Sequence, residues 1–127
     1  MAFQYGATLR NNQVGQIQTT VGSSGTLKIF SGAEPANCAA ADPSGLLCTI
    51  TLPSTFLTSS GGATTIAGAW SASASGTGTA ASFRIYDGSS VCHVQGNVTS
   101  DLVLNNTSIA SGQTVTVTSF TVTQGNQ

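Results

Sequence analysis

The chain has few side chains that could take part in a reaction, and it offers few nucleophiles or bases for hydrolysis. The chain has one histidine, so any histidine-based triad must use His93. The available nucleophiles are ordinary hydroxyls and Cys92, and Cys92 is the neighbour of His93 on a predicted strand, so it points to the opposite face. We therefore predict no nucleophilic catalysis.

Side chains for acid/base catalysis and for metal binding are also few. The four carboxylates are those of Glu34, Asp42, Asp87 and Asp101. Asp42 precedes a proline and Asp87 precedes a glycine, contexts in which hydrogen bonding to a turn backbone explains a carboxylate better than glycoside cleavage does. The cysteines and His93 lack the spacing of a structural zinc site, and the GSSG and GTG segments do not lead from a strand into a helix, as a phosphate loop would. We expect a protein without catalytic residues, metal or cofactor.

The three cysteines form an odd set without CxxC spacing. Two interpretations stay open: a disulfide between Cys38 and Cys48, or reduced cysteines in a protein made in the cytoplasm, with Cys48 and Cys92 as small buried apolar residues. The second is favoured because the first residues, MAFQYGATLRNN, do not resemble a secretion signal. No apolar run approaches the length of a transmembrane helix.

Composition limits the partners that the protein can have. Charged residues make up 6% of the chain, against roughly 25% in an average soluble protein, and the net charge is -1. Such a chain lacks the basic surface that binds nucleic acid or an anionic membrane. A surface of hydroxyl groups rather than charges is unusual in a free monomer, so composition favours a protein whose surface is used in an assembly. The alternative is a secreted or hydroxyl-rich domain that tolerates a low charge.

The clearest structural signal is an antiparallel hairpin in residues 79–96. Two runs of alternating apolar and polar residues flank a turn at residues 87–90. Ala81, Phe83 and Ile85 are expected to face Cys92 and Val94. This leaves Arg84, Tyr86 and His93 on the opposite, exposed face, as an interface patch or as a solvated surface with Arg84 near Asp87 or Asp101.

An amphipathic helix is predicted over residues 6–21, before the strands. Leu9, Val14, Ile17 and Val21 form its apolar stripe, and Gly22 is expected at its C-terminal end. Residues 1–5 form an arm with two aromatic side chains, Phe3 and Tyr5, which either frays or reaches a partner.

The rest of the chain predicts a single β-rich domain spanning residues 1–127. Strands are expected over residues 26–30, 46–52, 63–75, 101–104 and 113–123. The 63–75 segment forms two strands or one bulged strand, and a bulge or a change of sheet is expected near Ser119 in the last segment. A long surface loop with at most one helical turn spans 31–45, and Trp70 is expected in the core. The fold class is mainly β: an antiparallel sandwich or barrel of about seven or eight strands within 26–123, preceded by one helix.

The order of these stretches resembles a family of small virion proteins of tailed bacteriophages. The matching segments cover nearly the whole chain: LRNNQVGQIQTTVGSSGTLKIFSGAEPA, LLCTITLP, ATTIAGAW, GTAASFRIYDGSSVCHVQGNV and LNNTSIASGQTVTVTSFTVT. The likeness lies in strands and turns rather than in a catalytic motif, so it assigns no residue a role.

The resemblance implies a head decoration (cement) or minor capsid protein. Such a protein binds the major capsid protein on the outside of the virion, is made in the host cytoplasm, and is expected to be a homotrimer on a three-fold position. We take Phe3, Tyr5 and Leu9 as its anchors, with Arg84, Tyr86 and His93 as further interface candidates. Two alternatives are a tail, baseplate or fibre-tip protein that binds a host receptor, and a small hydrolase or lectin-like enzyme of phage lysis.

Overall fold

A computed structural model describes residues 6–60, 63–98 and 102–120 of the chain. Within these ranges one helix precedes eleven strands. They are α1 (Ala7–Val21), β1 (Thr26–Phe30), β2 (Leu46–Thr51), β3 (Leu57–Ser60), β4 (Ala63–Ile66), β5 (Ser71–Ser73), β6 (Gly78–Thr79), β7 (Ser82–Tyr86), β8 (Cys92–Asn97), β9 (Leu102–Leu104), β10 (Ser108–Ile109) and β11 (Thr114–Phe120).

The largest sheet has four antiparallel strands in the order β2-β1-β7-β8. Its β7–β8 pair is the predicted hairpin, which the structure confirms. Asp87 closes the turn: its N–H donates to the Val91 carbonyl at 3.0 Å, and its carbonyl accepts from the Ser90 N–H at 3.0 Å. Ser90 has a φ of 65°, the left-handed conformation that such a turn requires.

The two faces of this sheet have different surroundings. On one face, Leu27 and Ile29 of β1 lie beside Ile85 and Phe83 of β7, and all four are at most 1% exposed. Their burial follows from the period-2 alternation of both strands. The other face carries Lys28 opposite Arg84, and the loop between β1 and β2 covers it.

A second open sheet, β5-β11-β9, contributes to the same core. Trp70 is 1% exposed, as predicted, and its ring lies 5.8 Å from both Phe56 and Phe120. Phe120 in turn meets Phe83 of the first sheet edge to face at 5.6 Å. β11 changes partner from β5 to β9 along its length, with a register shift between Val117 and Ser119, which confirms the predicted irregularity near Ser119.

The antiparallel β class and the preceding helix are confirmed, but the described sheets do not close into a barrel. The described strands also outnumber the seven or eight predicted. The additional ones are short: β3 lies in a Ser/Thr-rich segment in which no strand is predicted, while β6 and β10 pair over two residues each. Such strands have too few residues to show alternation.

The helix packs against β3, β4 and β8 through three of the four residues of the predicted stripe, and only Leu9 does not belong to it. Val14 and Val21 are 2% exposed and Ile17 is partly buried, whereas Leu9 is 48% exposed. Arg10 takes the position expected for Leu9 because the buried positions 10, 14, 17 and 21 repeat at intervals of four, three and four residues. The helix is neither long nor apolar enough to cross a bilayer.

Gly22 ends the helix, and Gln18 attaches it to the chain before β3. Gly22 ends the helix as predicted, with a φ of 82° and an N–H that donates to the Gln18 carbonyl. The Gln18 side chain joins the helix to the chain before β3: its Oε1 accepts from the N–H groups of Phe56 and Leu57, and its Nε2 donates to the Ser54 carbonyl. One amide thus satisfies two strand-end donors that would otherwise lack a partner.

Candidate functional site

The loop of residues 31–45 folds over the outer face of β7 and β8. Its two ends are tied together, because the N–H groups of Ser31 and Gly32 donate to the carbonyls of Gly45 and Ser44 at 2.9 and 3.0 Å. The Ser82 hydroxyl donates to the Gly32 carbonyl at 2.7 Å. The loop contains turns but no helix, so the single helical turn considered for it is not formed.

Arg84 lies beneath this loop and is the most deeply buried charged group that the structure describes, with 2% of its surface exposed. It donates to the Asp42 carboxylate at 2.8 Å, to the Asn37 carbonyl at 3.0 Å and to the Gln95 amide oxygen at 3.2 Å. Three acceptors therefore replace the water that a guanidinium needs, and two of them belong to the loop.

Asp42 also accepts the Tyr86 hydroxyl, at 2.5 Å, on the same oxygen that receives Arg84. The Tyr86 hydrogen bond, together with the Arg84 hydrogen bond and charge, lowers the pKa of Asp42 against the opposing effect of burial. Burial and the Asp42 carboxylate raise the pKa of Tyr86. The carboxylate is thus held ionised and the phenol protonated, which is the arrangement of a structural network rather than of an acid/base pair.

These contacts correct three predictions. Arg84 and Tyr86 do lie on the face opposite the core, but that face is covered rather than exposed, and Tyr86 is only 5% exposed. Arg84 pairs with Asp42, not with Asp87 or Asp101; Asp101 itself lies outside the described residues. Asp42, predicted to bond to its own turn, instead reaches a strand 42 residues away in sequence.

His93 occupies a bulge in β8. Ile85 pairs with Val94 and Tyr86 with Cys92, so His93 is the extra residue between them. The bulge places Cys92 on the covered face beside Tyr86, which corrects the prediction that Cys92 shares the apolar face with Val94. His93 instead contacts Asp87, with 2.9 Å between Nε2 and the Oδ2 atom of the carboxylate.

Asp87 acts as the predicted turn residue. Its Oδ1 accepts from the N–H groups of Ser89 and Val91 at 2.8 and 3.0 Å. The His93 contact and these backbone bonds lower the pKa of Asp87. The pair has two of the three groups of a hydrolytic triad, but within the described ranges no hydroxyl lies at hydrogen-bonding distance from the His93 ring.

A shallow groove of about 200 Å³ runs between the helix and β8 beside this pair. Its walls are formed mainly by uncharged side chains: Gln13, Gln16, Ile17, Thr20, His93 and Val94. Among the residues with described positions, no three histidine, cysteine or acidic side chains converge on a point where they could hold a metal ion.

Cys48 is buried as predicted, whereas Cys92 is only partly buried. Cys48 faces the core at 0% exposure, with its Sγ near the carbonyls of Ala72 and Ser73. Cys38 lies in the covering loop, so the sheet separates it from Cys48 and excludes the disulfide considered between them. Cys38 is instead next to Cys92, with their Sγ atoms 2.7 Å apart, and both are only partly buried.

The remaining interface candidates differ in how far they can be placed. Phe3 and Tyr5 lie outside the described residues. Leu9 is one of the exposed large apolar side chains, together with Leu46, Val91 and Val103. The residues of the covered cluster that sequence reasoning missed are Asn37, Asp42 and Gln95; the one available signal was the length of the 31–45 loop, because loops of this length in compact domains usually have a specific role.

Comparison with known proteins gives no relative to set beside this geometry: no family model, no curated protein and no solved structure matches the chain.

Proposed function

We propose that the chain is a non-enzymatic structural protein of a tailed-bacteriophage virion, in the first place a capsid decoration protein that bridges major capsid subunits. The resemblance of its sequence segments to small virion proteins suggests this function. The observation that carries the proposal is the near absence of free charge on the described surface.

Most of the charged side chains that the structure describes contact a partner within the chain, although the Asp42 side chain is 47% exposed. Arg84 is buried with Asp42, the Asp87 carboxylate contacts His93, and the Lys28 ammonium lies 5.0 Å from the centre of the Tyr86 ring. Arg10 is 8% exposed on the docked side of the helix. Hydroxyl and amide groups therefore form most of the polar surface.

Such a surface suits lasting contact with other proteins. Charge keeps soluble monomers apart, and this chain presents little of it. A decoration protein acts by burying surface across the seams between capsid subunits, and the binding free energy of that contact stabilises the closed shell. A trimer on a three-fold axis brings three copies of the same surface to one seam.

Leu9 marks the part of the helix that is available for such contact. It projects from the first helical turn with 48% of its surface exposed, directly after the arm that contains Phe3 and Tyr5. We assign the capsid contact to the arm and this first turn. Arg84 and Tyr86 have no comparable free surface, so they serve the fold rather than the contact.

Binding to heads that lack the protein tests the proposal. The purified chain, mixed with undecorated heads of the source phage, is expected to co-sediment to a saturable stoichiometry and to label heads in immunogold electron microscopy. Its mass by light scattering is expected near three times 12.7 kDa. Labelling confined to tails or baseplates, or the absence of binding to heads, would overturn the proposal, and tail labelling would support the receptor-binding alternative.

A pair of helix variants tests the assigned surface. Leu9→Asp is expected to reduce head occupancy at least tenfold, because it places a charge in an apolar contact. Thr19→Asp is the matched control, since it adds the same charge at another exposed position of the helix. Equal occupancy of heads by the two variants would show that Leu9 does not lie in the capsid contact.

A further inference from the structure

Cys38 and Cys92 are brought together from positions 54 residues apart in the sequence. Cys38 lies in the covering loop and Cys92 is the first residue of β8. Their Sγ atoms are 2.7 Å apart, whereas a disulfide requires about 2.05 Å, so a movement of less than about 1 Å would join them. Cys48 is no competitor, because it lies on the opposite face of the sheet at 0% exposure.

Each sulfur is held in place by contacts that do not involve the other. Beside Cys38, the Asn37 side chain accepts from the N–H groups of Ala39 and Ala40, and the Asn37 carbonyl accepts from Arg84. Cys92 is placed by its pairing with Tyr86, which the bulge at His93 makes possible. The fold therefore holds both thiols in position before any bond forms, which is what favours an intramolecular disulfide over a bond between chains.

We propose that Cys38 and Cys92 are a disulfide site, oxidised by a small-molecule disulfide or by an oxidised dithiol protein, and that the bond fixes the 31–45 loop over Arg84. This bond joins two residues of one chain and does not depend on the proposed virion role.

The exchange has two steps and can begin at either thiol, because the two sulfurs lie 2.7 Å apart and both are partly buried. Burial, together with the neighbouring Cys38 thiol, raises the pKa of Cys92. In one route Cys38 attacks first. It loses its proton and attacks one sulfur of the oxidant, which releases one thiolate and leaves a mixed disulfide on Cys38.

Cys92 then resolves the mixed disulfide. It loses its proton and attacks the Cys38 sulfur, which releases the second thiolate of the oxidant. The two released thiolates take up the two protons, so two electrons pass from the cysteine pair to the oxidant, whose disulfide becomes two thiols.

The test is oxidation of the purified full-length chain with oxidised glutathione near neutral pH, followed by alkylation of free thiols in denaturant, which exposes Cys48, and mass spectrometry under non-reducing conditions. We expect one remaining alkylated thiol, on Cys48, and a linked peptide pair containing Cys38 and Cys92. We expect the oxidised chain to melt at least about 5 °C above the reduced chain, because the bond closes a long loop.

Single substitutions separate this site from other oxidation products. Cys48→Ser is expected to keep both the linkage and the rise in melting temperature, whereas Cys92→Ser should stop at a glutathione adduct on Cys38. The proposal is overturned if all three thiols remain alkylatable after oxidation, or if the bond found joins Cys48 to either partner or joins two chains.

Discussion

Asp42→Asn is the most direct test of the covered cluster, because it removes one charge and keeps the side-chain shape. Arg84 would stay buried at 2% exposure with only neutral acceptors, among them Asn37 and Gln95. Removing one partner of a fully buried ion pair costs about 3–5 kcal/mol. The Asp42 side chain is 47% exposed, so solvent screens the pair, and we expect a loss of about 2 kcal/mol at pH 7.

The effect should depend on pH in a defined direction. The pKa of Asp42 is lowered from 3.8 in the folded protein, so its contribution to stability is present above about pH 4 and is lost as the pH falls through the lowered value. The amide that replaces the carboxylate in the variant does not titrate. The difference between wild type and Asp42→Asn should therefore shrink below about pH 4.

Urea unfolding followed by the fluorescence of the single tryptophan, Trp70, provides the assay. Thermal unfolding should show a fall in melting temperature of roughly 6–10 °C at pH 7. Glu34→Gln is the matched control, because it neutralises an exposed acid in the same loop and should change stability by less than about 0.5 kcal/mol. The reasoning is refuted if Asp42→Asn behaves like Glu34→Gln, or if its deficit stays constant from pH 7 to pH 3.

Two further substitutions test other contacts and the end of the loop. Tyr86→Phe should cost about 1–2 kcal/mol in urea unfolding and raise the pKa of Asp42 toward 3.8, so stability should depend less on pH below about pH 4; an unchanged pH dependence would contradict this. Gly45→Ala should lower the free energy of unfolding by about 1 kcal/mol more than Gly112→Ala. Both glycines have positive φ, but of the two only Gly45 would place the new Cβ against another residue, at the Ser31 hydroxyl. Equal losses of stability would show that the end of the loop can shift to accept the Cβ.

The sequence determined the features that depend on neighbouring residues. Alternation placed β1 at Thr26–Phe30 and located the β7–β8 hairpin with its turn at Asp87, since a strand's period of two is visible in a run of five residues. Gly22 marked the end of the helix because a left-handed residue is needed there. Size and apolarity were sufficient to place Trp70 in the core.

Other features depended on packing that no local pattern records. The helix buries Arg10 rather than Leu9, because the way it docks on the strands decides which neighbouring position is covered. The short strands β6 and β10 form by pairing with each other, and neither has enough residues to be recognised from the sequence.

The candidate site belongs almost wholly to the tertiary structure. One bulged residue, His93, turns Cys92 toward the covered face, and a loop that the sequence shows only as irregular supplies Asp42 to Arg84 and Cys38 to Cys92 across separations of 42 and 54 residues. Such contacts depend on the register and on the path of the loop, and residues distant in the sequence meet only after both are fixed. The sequence therefore predicted which residues share a strand, whereas the folded chain decided what lies over them.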